Sequence, residues 1–372
     1  MDARYRLGNT VVEIVGDHPV ADLVRRELEL VSDNTSIPDI KLVLTEKPLP
    51  KIPANASCVG TVFALPDRAW IHFDSIGYRA LISLSCDHHA LPRLNIQVQI
   101  LPLRIKPYIP TFVRRWRNWT FLTPREQRAY SFINGVLESL LLFFGKNTSL
   151  LHASVVEKSG CAICFPSTGG TGKTTLSLLL ATRHGFRWMA DDIALLTGDG
   201  RVSLYPRYIM MYPYNLQGLT TLSRTFFRRR NMLDRIHWMV KAQINGPKGV
   251  RRRVPPNMLF GERLVKTAPI SQVFFLVRCP VLGFQQEDVL PRRLADICTH
   301  VILAEYSHYI NYLRYWEATG FAPITVEILR AHLSDTYERA FAQAMKCQLI
   351  RIPVSATPAM LEEFIVKVIE DA

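Results

Sequence analysis

Residues 164–175 read CFPSTGGTGKTT, and that run leaves the chain little choice of local fold. An apolar stretch enters a glycine cluster and leaves it at Lys-Thr-Thr followed by LSLLLATRHG, which predicts a buried strand, a tight loop and a helix stopped by Gly185. A loop of the form G-x-x-x-x-G-K-[ST] wraps phosphates in backbone N–H groups, neutralises them with its lysine and holds Mg²⁺ with its hydroxyl. Gly172, Lys173 and Thr174 match the end of that pattern, whereas its first glycine position is Ser167. Gly169 and Gly170 remain to supply the positive-φ conformations of an anion nest, so the loop from Ser167 through Thr168, Gly169, Gly170, Thr171, Gly172, Lys173 and Thr174 to Thr175 is the predicted nucleotide-phosphate site. The same residues would also serve as a ligand-free glycine turn at a helix start.

A second motif narrows the class. Asp191 follows Lys173 by eighteen residues, in RWMADDIALL, which is room for one helix and one short strand. The spacing predicts Asp191 and Asp192 at the C-terminal end of a strand beside the loop strand, where open α/β sheets bind ligands. Two carboxylates there divide naturally into one that takes a proton from an incoming hydroxyl and one that supports a metal. A solvated turn after a strand is the plainer reading of the pair.

The run from LLHASVV through ADDIALL, roughly residues 150–197 and about an eighth of the chain, resembles the C-terminal domain of the HPr kinase/phosphorylase family and its peptide-modifying relatives. The ordered set His-Ala, glycine loop, Ala-Asp-Asp carries the likeness. It implies an α/β P-loop kinase domain akin to the phosphoenolpyruvate carboxykinase core, using ATP and Mg²⁺. Carried over, it implies that Lys173 contacts the β and γ phosphates, Thr174 is a Mg²⁺ ligand, Asp191 is the catalytic base, Asp192 is a metal or phosphate partner, and His152 sits near the phosphates and tunes protonation. A hydrogen-bonded core histidine is the plainer reading of His152. The sequence departs from the family at Ser167, and again where a Glu-x-Arg-Gly signature is replaced by YPRYIMMYPYNLQG; no glutamate lies between Asp199 and Glu262. HPr itself is therefore not the expected substrate. The hexamers of the family make a homo-oligomer an open expectation.

Around this core the chain divides. Residues 1–122 alternate in short apolar runs such as TVVEIV and IKLVLTE, which predicts a β-rich N-terminal domain with at most one helix, near ADLVRRELELV. Thr123, Pro124 and Glu126 form a capping-box signature, so 123–147 reads as a bridging helix ending at Gly145. The P-loop domain then occupies 148–372, with SLLHASVVE and GCAICFP as a hairpin, PISQVFFLVR and QLIRIPVS as further strands, and two C-terminal helices. Cys161 and Cys164 fall in the hairpin and read as core residues, and adjacent histidines in CDHHAL, at Cys86, Asp87, His88 and His89, point to opposite faces of any strand and read poorly as a metal site. No window of eighteen apolar residues occurs in the chain, and MDARYRLGNT lacks the marks of a secretory leader, so the sequence reads as a cytoplasmic protein.

The net charge of +13 is concentrated in an insertion, about 207–266, where thirteen Lys or Arg face two acids, Asp234 and Glu262. Four readings stay open for it: a lid that clamps an acidic peptide by arginine, a nucleic-acid site, an anionic membrane contact inserting Phe226, Phe227, Trp238 and Met239, or a flexible solvated insertion. Together the motifs predict a kinase that phosphorylates a hydroxyl, Ser or Thr of a small protein or peptide. A small-molecule kinase and a nucleotide-gated regulator are the alternatives.

Overall fold

The computed structural model describes residues 3–85, 93–102, 110–228 and 230–370; the CDHHAL stretch lies outside them. The described chain is mixed α/β and forms two compact units that interleave in sequence. The first takes residues 1–110, 123–150 and 302–333; the second takes 111–122, 151–301 and 334–372.

In the first unit, eight strands of the described residues form one sheet, beginning at Ala3–Leu7 and Thr10–Val15, with Arg93–Ile100 and Tyr78–Ser85 at its centre. The helix Pro19–Leu28 is the one expected from ADLVRRELELV. The Thr123 capping box forms as its sequence requires, with Thr123 Oγ1 accepting from the Glu126 amide at 3.3 Å and Glu126 Oε2 accepting from the Thr123 amide at 2.7 Å. The helix it starts, Pro124–Ser131, passes through a π-helical turn, Phe132–Leu137, into Glu138–Phe144. Gly145 ends it with φ −61° and not in the left-handed form, and a Cβ there would lie 2.4 Å from the Leu141 carbonyl oxygen. Residues 302–333 join this unit because their aromatic face packs into it: Tyr306 Oη donates to the buried Glu138 at 2.6 Å, and the Tyr312 ring meets Phe73 at 4.7 Å.

In the second unit the strand Thr267–Cys279 is the spine of a branched sheet. One flank carries Cys161–Pro166, Ala153–Lys158 and Arg187–Ala190 in that order; the C-terminal half of the spine also pairs in parallel with Lys346–Pro353. Ser159 and Gly160, with φ of 55° and 88°, close Ala153–Lys158 onto Cys161–Pro166 as a two-residue hairpin. Val156, Ile163, Phe165, Leu176, Leu180 and Phe274 belong to the apolar core that fixes the helix Lys173–Arg183 against this sheet, together with Leu361 and Ile365 of the helix Pro358–Glu370.

Two expectations need correction here. A second helix, Thr111–Arg117, falls within the N-terminal 122 residues and belongs to the second unit; its seven residues are too short and arginine-rich to show a periodicity. The insertion 207–266 is folded. Ile209–Met211 pairs with Arg252–Val254, and the helices Thr220–Arg228 and Met232–Asn245 enclose a core of their own. Of the four residues named for a membrane contact, Phe226 and Trp238 are buried in that core with ring centroids 5.0 Å apart, Phe227 is half-buried and Met239 is exposed.

Candidate active site

Hairpin geometry brings the motifs to one sheet edge. Because Ala153–Lys158 runs antiparallel to Cys161–Pro166, its start meets the end of the loop strand, with Ala153 opposite Pro166. Arg187–Ala190 then pairs antiparallel with Ala153–Lys158, so it is parallel to the loop strand and also ends at that edge. The acidic pair thus sits one strand further from the loop strand than the spacing suggested. The hairpin's two-residue turn gives the adjacent place to Ala153–Lys158. His152, the loop and Asp191 nevertheless converge.

Gly170 and Gly172 take positive φ, 81° and 100°, and supply the left-handed turns of the loop; Gly169, expected to share that role, does not. A Cβ on Gly169 or Gly170 would meet nothing within 4 Å, so the space beside both glycines is open. Ser167, in place of the usual glycine, is buried and its Oγ lies 2.7 Å from Thr171 Oγ1 and 3.0 Å from the Thr168 carbonyl oxygen. The hydroxyl therefore braces the loop from within. Arg278, on the spine strand, donates to the Thr171 carbonyl at 3.3 Å and to those of Pro353, Val354 and Ala356 at 3.1–3.2 Å, tying the loop to the approach of the last helix.

Lys173, buried at the helix start, lies 2.7 Å from His152 Nε2. An ammonium has no lone pair to offer, so the imidazole nitrogen accepts and the ring proton is assigned to Nδ1, which faces Asp192 Oδ1 at 3.7 Å. Burial, and next the Lys173 charge, push the His152 pKa down to about 4, with Asp192 opposing and Arg207 assisting. The ring is neutral at pH 7. Because its folded pKa lies below the unfolded value, this histidine's contribution to stability falls as pH drops from the unfolded range toward 4 and levels off below it. An imidazole NMR titration is expected to find its midpoint near 4; a midpoint near the ordinary value of about 6.5 would contradict the burial of the ring beside Lys173.

The two aspartates differ sharply. Asp191 is buried, accepts from Ser154 Oγ at 2.6 Å, and accepts from Thr174 Oγ1 at 2.9 and 3.1 Å through its two oxygens. Burial, then the neighbouring Asp192 charge, raise its pKa above the usual carboxylate range against those bonds and Lys173. Asp192 is 41% exposed, carries a left-handed φ of 69°, and pairs with Arg207 Nη1 at 2.9 Å. Desolvation works against its ionisation, but Arg207, His152 and Lys173 outweigh it and lower the pKa. Thr175 is held separately, accepting from Asn215 Nδ2 at 2.9 Å.

Ser154, Arg207, Asn215 and Arg278 were not among the expected site residues. Ser154 carried a usable signal: if the strand is read as beginning at His152, the two residues share one face by alternation; the structure begins that strand at Ala153. Arg207 follows in irregular chain, Asn215 lies in the short 3-10 helix Pro213–Leu216, and Arg278 lies on a distant strand.

No protein-family model matches the chain, and no curated protein matches it. The chain is similar to a solved structure, the HPr(Ser) kinase/phosphatase from Coxiella burnetii, at 12% identity, covering 60% of this chain and 92% of that one with a TM-score of 0.28. A superposition at that score fixes no correspondence between residues, so the roles proposed below rest on the site's own geometry. No helix of the described residues is long and apolar enough to cross a membrane.

Proposed function

We propose that the chain is an ATP- and Mg²⁺-dependent kinase that transfers the γ-phosphate to a hydroxyl, Ser or Thr of a small protein or peptide. The observation that carries this reading is the contact between Thr174, the hydroxyl closing the glycine loop, and Asp191, an acid from the end of another strand. A ligand-free glycine turn has no need of a buried carboxylate at that hydroxyl.

The oxygens gathered there, from Thr174 and the two aspartates, are the hard donors that Mg²⁺ takes. Thr174 and Asp192 would hold the ion, which supplies charge neutralisation for the phosphate oxygens when bound. The rest of the work belongs to the protein. Loop amides from Ser167 to Thr175 cradle the phosphates, and Lys173 exchanges its bond to His152 for contact with them. His152, neutral, receives the lysine again when product leaves. Asp191 accepts the proton of the acceptor hydroxyl, and Ser154 orients its carboxylate.

The Thr174–Asp191 hydrogen bond also favours a second division of labour, in which Asp191 stands with Thr174 at the metal and the exposed Asp192 faces the acceptor. Both versions share the loop. Binding tests it directly: calorimetry with Mg·ATP is expected to show one site, weakened about 10- to 100-fold by Lys173→Ala, the scale of one or two lost charge-assisted contacts. Absence of nucleotide binding by the unaltered protein would overturn the proposal.

A further inference from the structure

We propose that the outward face of the helix Met232–Asn245 docks on an anionic membrane surface. The inward face of this helix is settled: Asp234, His237 and Trp238 are buried, at the i, i+3, i+4 spacing of one stripe. A surface helix then turns polar residues to water. This one instead sets Met232, half-buried Ile236 and Met239 opposite that stripe, and leaves Leu233, Val240 and Ile244 exposed along its flank, at i−4, i+3 and i+7 from His237. Met232 is 75% exposed, Met239 59% and Ile244 73%, so the side chains stand proud of the surface along about 18 Å of helix.

The face continues in a second element. The helix Thr111–Arg117 packs on the first through Trp116, whose ring lies 5.0 Å from that of His237 and whose carbonyl accepts from His237 Nε2 at 2.7 Å. Phe112 and Val113 of that helix are exposed, and Trp119 just beyond it is 57% exposed. Aromatic side chains of this kind suit the boundary between headgroups and acyl chains.

Charge selects the occupant. Arg117, Arg235 and Lys248 are exposed around these elements and have no carboxylate partner among the described residues. Of the two acids in residues 207–266, Asp234 is buried between Arg230 and Arg252. A second copy of the chain would bring cationic surface against cationic surface. A nucleic acid would satisfy the arginines but would leave Met, Val and Ile against phosphodiesters. An anionic bilayer meets both needs, apolar for the ridge and negative for its flanks. This inference stands apart from the kinase reading, since none of these residues belongs to the phosphate site.

Co-sedimentation with vesicles tests it, comparing pure phosphatidylcholine with phosphatidylcholine containing phosphatidylglycerol. The full chain is expected to bind the anionic vesicles, more weakly at raised salt, and to ignore the neutral ones. Met239→Glu/Ile244→Glu is expected to weaken binding at least about tenfold with thermal melting and nucleotide binding unchanged. Met232→Gln/Met239→Gln gives the same test without added charge. Equal binding to both vesicle types, no binding to either, or binding that both double variants leave intact would overturn the proposal. So would self-association of the unaltered chain that the variants abolish, which would assign the face to a second copy.

Discussion

Asp191→Asn is expected to lower phosphate transfer by about 10² to 10⁴ while leaving ATP affinity within a few-fold, the scale of a lost general base. The amide keeps the shape and still accepts from Ser154 and Thr174, which lie 2.6 and 2.9 Å from Asp191 Oδ1. It cannot take a proton or carry charge. Burial already disfavours the ionised form at this position, so the substitution removes a costly charge and should not unfold the site. Steady-state kinetics with the acceptor would show a fall in kcat with little change in the KM for ATP. Titrating Mg²⁺ then separates the two divisions of labour. If Asp191 is the base, the variant's Mg²⁺ requirement stays where it was and Asp192→Asn raises it. If Asp191 stands at the metal, the rise appears in Asp191→Asn. Unaltered transfer in Asp191→Asn would remove this residue from the mechanism.

The second large effect is on stability. Asp234→Ala is expected to destabilise the insertion by about 3–5 kcal/mol, the cost of leaving a buried charge without its partner. Arg252 is 1% exposed, and its Nε donates to Asp234 Oδ1 at 2.6 Å. Its remaining donors reach the Trp119 and Arg251 carbonyls at 2.9 Å and His237 Nδ1 at 2.7 Å. Those neutral acceptors satisfy geometry but supply no counter-charge. Burial is the main force that pulls the Arg252 pKa down to about 10, and Asp234 is the first of the groups that resist it. Arg230 shares the carboxylate at 2.8 Å, so the variant strands two guanidinium groups. Hydrogen exchange should show the loss as faster exchange of amides in 220–254, the region that Phe226, Trp238 and Arg252 hold together. Replacing both partners, Asp234→Ala with Arg252→Met, is expected to recover much of the stability, because the apolar chain fills the space without a charge. Equal exchange in Asp234→Ala and the unaltered protein would show that water reaches Arg252 readily.

Local features were legible in the sequence because their causes are local. The Thr123 capping box, the Gly185 stop and the Ser159-Gly160 hairpin each depend on residues a few positions apart, and each formed as read. The contacts that give the site its electrostatics come from further away. Arg207 reaches Asp192 from an irregular segment, and Arg278 reaches Thr171 from a strand more than a hundred residues on. No periodicity encodes such pairings. The insertion shows the same limit in reverse. A run dense in arginine and proline resembles a solvated loop by composition, yet burying one arginine against Asp234 and framing it with Phe121 and Trp238 turns the run into a folded element. Interleaving of the two units was equally hidden, since the aromatic residues of 302–333 find their partners in Phe73 and Phe144.

The most direct test of the central claim offers purified protein, Mg²⁺ and ATP labelled at the γ position to a host-cell extract, with Asp191→Asn as control, and follows both labelled macromolecules and free phosphate. The account predicts label on a discrete protein or peptide, at Ser or Thr, and its loss in the control. Label confined to free phosphate, or labelling that persists without Asp191, would contradict it.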